Sequence, residues 1–463
     1  MPPSLHTFAD FIVKTKPSDI TREAIESAKL ILADSIAAMI GGMAEAEMQD
    51  FAKAMSDQFN GSHDRRYDRG HPSIYGLSRQ ADCATASLVN GAAGTVLEMD
   101  EGHQFAKGHP GMHVLPALLA LTEQHSKNGK KISGQDFLRA FILGYDIAAR
   151  TGLATQLNST MHPHGTWGGI GAAAGLAALE NLAAKDVINL INIASSLTLA
   201  TSRKTMLEGG TVRNIYAGVS NQMAHLSLTL LRAGFSGEED GISSVFGGVV
   251  SPKFDWNLAC EDLGKRFEVC RNYFKLHACC RYNHAALDAL WILMSRHPSL
   301  ERINAIRQIK VESYHLAAEL SDAKPRNVLA SKFSIPFAMA TTLYHRSSDV
   351  LSFTEDARQN SDIIALAQKV SVVEDPQMSA QLPNLRPARV TITMTDGTTL
   401  DAAVQTNRGD WQDPYQADEL YKKYLSLTAR LWSNQKAKQV HDLVMTLDQH
   451  GDMAALFDAM ALG

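Results

Sequence analysis

From Ile25 onward, apolar side chains recur at Ile25, Ala28, Leu32, Ile36, Met39 and Ile40. That period of about 3.6 residues belongs to a helix with one buried face. Ser18 or Asp19 is the expected cap and Gly41-Gly42 the expected stop. The same rhythm predicts helices over 84–97, 114–125, 135–153, 166–183, 186–200 and 214–233. Several are built from small residues, most visibly Gly168 to Gly175, and such helices can approach closely and be buried on all sides. After about Cys270 the pattern changes. Ile309, Val311 and Ser313 alternate with polar neighbours, as a half-buried strand does. A second strand is expected at 370–373, and 390–394 and 400–404 flank Asp396-Gly397, a strong hairpin signal. Helical stretches at 283–296 and 334–346 are mixed in, and from about Gln416 the helical pattern returns. The expected fold is mainly α: a large all-helical domain, 1–269 and 406–463, with a smaller α+β lid domain, 270–405, inserted into it.

The totals narrow the function classes. A chain of 463 residues suits two domains. A net charge of −5 gives no global pull toward nucleic acid or an anionic membrane, so neither is an expected partner, although a local basic cluster can still take an anionic substrate. No apolar run reaches the ~20 residues that span a bilayer. The opening residues 1–6 lack the basic-then-apolar pattern of a secretory signal. Five cysteines, an odd number, speak against a disulfide framework and for a reducing compartment. The expected location is the cytoplasm.

Four clusters carry candidate chemistry. Residues 98–116 bring Glu98, Asp100, Glu101, His103 and His109 together between two apolar flanks, where titratable groups are costly unless paired or used. Histidine is the side chain best tuned for proton transfer near neutrality. Gly108, Pro110 and Gly111 should keep His109 out of a regular helix. His109 and His113 lie four apart as in a zinc helix, but Pro110 and Gly111 intervene and no Glu follows the first His, so no metal site is expected. His162 leads into the Gly/Ala-rich helix, whose N-terminus would favour a carboxylate. No strand precedes those glycines, which excludes a dinucleotide loop. Lys275, His277 and Arg281 fall at the proposed domain junction beside Cys279 and Cys280, which read as small buried residues. Finally, the Gly209-Gly210 turn delivers Arg213, a residue type that holds carboxylates through two parallel hydrogen bonds.

In this order the clusters resemble the MmgE/PrpD family, which includes 2-methylcitrate dehydratases, cis-aconitate decarboxylases and an iminodisuccinate epimerase. Four segments carry the resemblance. They are Val89-Asn90-Gly91 with the acidic run and His109-Pro110; His162 with Gly165-Thr166-Trp167-Gly168; the Gly209-Gly210 turn; and Lys275 with Cys279-Cys280-Arg281-Tyr282. The resemblance implies a helical domain built from both chain ends with an inserted α+β lid, a homodimer, and no metal or organic cofactor. It also implies a site between the domains, lined by the acidic run, His109, His162, the basic residue after the Gly-Gly turn and Lys275. Two departures stand out. Glu98-Met99-Asp100-Glu101 replaces the family's common Asp-Phe-Asp-Asp, and Arg213-Asn214 stands where several members have Lys-Pro. Lysine can give up a proton after a pKa shift, whereas arginine effectively cannot.

The expected activity is that of a lyase on a small di- or tricarboxylate, first a 2-methylcitrate-type dehydration. Decarboxylation, epimerisation and non-catalytic metabolite binding are the alternatives. His109 is expected to move the proton with His162 as partner; Glu98, Asp100 and His103 are counted with them in the catalytic group, and Glu98, Asp100 and Glu101 are expected to orient the histidines or the loop. Arg213, Lys275, His277 and Arg281 are expected to hold carboxylates.

Overall fold

A computed structural model describes residues 4–62 and 70–461; Met1 to Pro3 of the opening stretch lie outside the described residues. The protein is mostly helical. The helix expected at Ile25 spans Arg22–Met43. Its cap is neither Ser18 nor Asp19, which sit in a separate 3-10 turn, but Thr21, whose side chain accepts from the Ala24 N–H. Gly41 and Gly42 do not end it either. They are contact points: a Cβ on Gly42 would lie 1.8 Å from the carbonyl oxygen of Ala93 on the crossing helix Cys83–Val96.

Helices Pro110–Lys127, Gly134–Ala154, Gly168–Leu179, Ala184–Ser196 and Tyr216–Arg232 follow the expected order. Helices Leu5–Lys14 and Ala46–Ser62 were not legible in the pattern. Gly168–Leu179 lies at the centre, buried at almost every position, against Gly134–Ala154, Pro110–Lys127 and Tyr216–Arg232. Small side chains permit these close crossings. Both chain ends build this body. Helix Ala417–Thr428 packs on Arg22–Met43, and its buried Lys423 donates to Asp34 Oδ1 and to the Met99 carbonyl, each at 2.5 Å.

Residues 306–404 contain a four-stranded sheet in the order 370–374, 306–313, 388–394, 399–404. The first pair is parallel, with Ile309 opposite Val370; the others are antiparallel, with Val390 opposite Ala402. Ala388, Val390, Ile392 and Met394 alternate inward, and helix His284–Arg296 packs on strands 388–394 and 399–404. A register irregularity between Ile306 and Gln308 lets both Ile306 and Ile309 face the core despite their odd spacing.

As expected, His109 stays outside the helix, which begins at Pro110 rather than at the expected 114 and runs through Gly111 and Pro116. Proline at the first helical position gives up no hydrogen bond, and His109 becomes the N-cap residue.

Candidate active site

A two-residue antiparallel ladder, Gly102 opposite Tyr273 and His103 opposite Asn272, ties the acidic stretch to the segment carrying Lys275. Glu98 sits just past the C-terminus of helix Cys83–Val96 with φ of 57°, the left-handed region that usually takes glycine there. Its carboxylate justifies the strain. One oxygen meets Arg213 and the other lies 3.4 Å from Lys275 Nζ. Asp100 Oδ1 is 3.3 Å from the same Lys275 Nζ, and Asp100 Oδ2 is 3.2 Å from His109 Nδ1. Two carboxylates and two cations therefore form a buried, formally neutral square. Burial alone would raise the Glu98 pKa, but Arg213 and then Lys275 pull it down to about 2. Burial would likewise lower Lys275, yet Asp100 and Glu98 hold it above its ordinary value.

The two expected histidines have fixed and opposite tautomers. His109 Nδ1 is 2.6 Å from the carbonyl oxygen of Glu101. A carbonyl can only accept, so Nδ1 carries the hydrogen and Nε2 keeps a lone pair in the neutral ring. His162 Nδ1 accepts from the His164 backbone N–H at 2.9 Å, so in the neutral ring the hydrogen is on Nε2. Burial lowers both pKa values. Asp100 partly restores that of His109, whereas Arg213 and Arg203 drive His162 further, well below its ordinary value. The arrangement is a proton acceptor beside a neutral hydrogen-bond donor.

Both rings line a small cavity of about 50 Å³ with Glu98, Arg213, Tyr273, Arg281 and Arg386. Lys275 and Asp100 stand behind Glu98 and His109 rather than in the lining. The Cys280 thiol also borders the cavity, but burial pushes it up to about 11, which leaves no thiolate near neutrality.

Three other expected residues, His103, Glu101 and His277, do not join the site. His103 is fully buried; its Nδ1 accepts from the Ala106 N–H and its Nε2 bonds Glu268 at 3.1 Å, so both nitrogens are engaged away from the cavity. Glu101 caps the next helix, accepting from the Gly111 N–H at 2.6 Å and from Tyr145 at 3.0 Å. His277 bridges Ser348 and Asp288 at the edge of a separate cavity of about 890 Å³. Arg281 borders the site, but its guanidinium is bound to Asp410 at 2.6 Å.

The sequence reading missed Lys107, Arg203, Tyr273, Tyr282 and Arg386 as lining residues, and His164, whose ring stands 5.3 Å from that of His109. His113 Nε2 meets His164 Nδ1 at 3.2 Å behind it. Lys107 lay within the titratable stretch itself and was open to notice. Arg386 had no local signal.

Family models for the MmgE/PrpD N-terminal and C-terminal domains match residues 6–257 and 277–449. Curated relatives align over almost the whole chain. A cis-aconitate decarboxylase-like protein of Aspergillus oryzae is 24% identical over 96% of this chain and 95% of its own length. The cis-aconitate decarboxylase of Aspergillus terreus is 24% identical over 96% and 92%. That of Mus musculus is 22% identical over 97% and 92%. With both family models matched in order along a single chain, this protein belongs to the MmgE/PrpD family.

Proposed function

We propose that the protein is a cofactor-independent lyase of small polycarboxylates, with decarboxylation of cis-aconitate or a close analogue as its first reaction. Dehydration led the reading of the sequence; the named relatives favour the decarboxylase alternative. The observation that carries the lyase reading is the pair of buried histidines with opposite tautomers on one cavity.

In this reaction a carboxylate leaves as carbon dioxide and its electron pair moves onto carbon, which then takes a proton. His109 supplies that proton from its imidazolium form. Substrate carboxylates beside the ring favour that form, offsetting the burial that disfavours it. His162 stays neutral and donates Nε2–H to a substrate oxygen where charge develops, the use of a neutral imidazole as an electrophile.

Dehydration remains the second reading for one reason. The same pair can run with His109 Nε2 removing a proton and His162 hydrogen-bonding the departing hydroxyl.

Incubating the purified protein with cis-aconitate and with 2-methylcitrate in deuterated water, followed by NMR, tests both. Carbon dioxide release with one deuterium on product carbon supports decarboxylation. Loss of hydroxyl from 2-methylcitrate supports dehydration. No change in either acid, and no deuterium in recovered substrate, would sink the lyase reading.

A further inference from the structure

The cations expected to clamp substrate are already neutralised. Arg213 is bound to Glu98, Lys275 lies between Glu98 and Asp100, and Arg281 is bound to Asp410. A substrate carboxylate would have to compete with a protein carboxylate at each. Arg386 is different. It is 4% exposed, yet among the described residues no carboxylate forms an ion pair with it. The carboxylate that most influences it, Asp410, is held by Arg281. One guanidinium nitrogen donates to the Gln104 carbonyl at 2.9 Å, and the plane is flanked by the rings of Tyr273 and Tyr282, with centroids 6.0 and 5.7 Å away. A guanidinium withdrawn from water without a counter-charge is expensive, and a planar fork left open on one side matches a carboxylate.

Its position adds the second argument. Outside the small cavity lies a chamber of about 420 Å³. Five residues line both spaces and so form the neck between them: Lys107, Pro163, Arg203, Tyr282 and Arg386. Arg203 is paired with Glu319 at 2.5 Å. Lys107 forms no ion pair among the described residues, and it is held at φ of 58°, a conformation that side chains rarely adopt without cause. Although Lys107 is exposed at its outer end, desolvation at the neck and repulsion from Arg386 and Arg203 lower its pKa, which agrees with three cations converging there. The neck therefore has two positive charges without carboxylate partners.

We infer that Arg386, assisted by Lys107, is a carboxylate-capture site at this neck. It holds the substrate carboxylate farthest from the two histidines, so a ligand needs at least two carboxylates to span from neck to cavity. The location of the reacting end rests on the function proposed above; the capture site itself does not.

The test uses tricarballylate, a saturated tricarboxylate with no hydroxyl or double bond to react, and calorimetric titration of the full chain. Wild type should bind it, and Arg386→Gln should bind about 10- to 100-fold more weakly, the range for lost hydrogen bonds to a charged group. Lys107→Gln, at an exposed position, should weaken binding by about 2- to 5-fold, as expected for one partly screened charge. Butyrate, with one carboxylate, should bind far more weakly than tricarballylate. Equal tricarballylate affinity in wild type and in folded Arg386→Gln overturns the inference, as does absence of binding to wild type at millimolar concentration. Should Arg386→Gln fail to fold, unchanged affinity in Lys107→Gln overturns it instead. The two proposals fail separately. Weakened tricarballylate binding with no turnover of any acid leaves the capture site and removes the lyase. Cis-aconitate turnover with unchanged KM in Arg386→Gln does the reverse.

Discussion

Replacing Lys275 with methionine removes one cation from the buried square and leaves Glu98, Asp100 and Arg213 with a net charge of −1. A unit charge 3.3 Å from Asp100 amounts to about 5 kcal/mol at an effective dielectric constant of about 20. Breaking a buried pair by deleting one partner typically costs about 3–5 kcal/mol, so the two figures agree. At pH 8 the variant should lose most of that. His109, 3.2 Å from Asp100, can compensate by taking a proton. In the wild type its folded pKa lies below the unfolded value of about 6.5, through burial and in part through Lys275. Its contribution there is lost as pH falls through the folded pKa. Without Lys275 the carboxylates raise the folded pKa relative to wild type, so the variant loses less stability than wild type as pH falls through about 6.5, where the unfolded histidine takes its proton. The gap in urea stability between wild type and Lys275→Met, followed by tryptophan fluorescence, should therefore be smaller at pH 5.5 than at pH 8. An equal gap at both pH values, or a wider one at pH 5.5, would refute the coupling of His109 to the square.

His109→Ala should keep its far-ultraviolet spectrum and lose about 10²–10⁴ in kcat on whichever acid is turned over, the range for a missing acid/base group. Near-wild-type kcat would remove it from the mechanism. His162→Gln keeps an N–H donor and should retain more activity than His162→Ala; identical kinetics in the two variants would contradict the donor role read from its tautomer. A Cβ on Gly218 would lie 2.1 Å from the Leu88 carbonyl oxygen, so Gly218→Ala should destabilise the helical body by about 1–3 kcal/mol, and an unchanged melting point would show that this crossing yields freely. If residues 270–405 act as a lid, their amides should exchange through an opening of lower free energy than that of the central helix Gly168–Leu179; uniform exchange would leave a second domain without lid motion.

The helices were legible because their apolar period survives burial, and the hairpin because Asp396-Gly397 marks a turn whatever packs around it. The histidines of the site stood out through irregular backbone and neighbouring charge. What stayed hidden depended on distant partners. His103 sits in the same short stretch as His109, yet Glu268, 165 residues on, takes its ring. His277 lies two residues from Lys275 and is drawn to Ser348, 71 residues away. Local spacing cannot assign such partners, and the same holds for Arg386, which reaches the Gln104 carbonyl across 282 positions. Even the cap at Thr21 was settled by the separate turn before it rather than by residue preference.

The bond from Lys423 to the Met99 carbonyl, between Glu98 and Asp100, spans 324 positions. A ribosome adding about 5–20 residues per second needs roughly 15–65 s between making the acidic loop and making the lysine that pins it. During that interval most of the helical body can assemble while the backbone between the two key carboxylates lacks its anchor. The acidic loop is therefore fastened only when the C-terminal helix Ala417–Thr428 docks on Arg22–Met43. A nascent or truncated chain ending before Ala417 would lack both the anchor of the acidic loop and the helix that packs on Arg22–Met43.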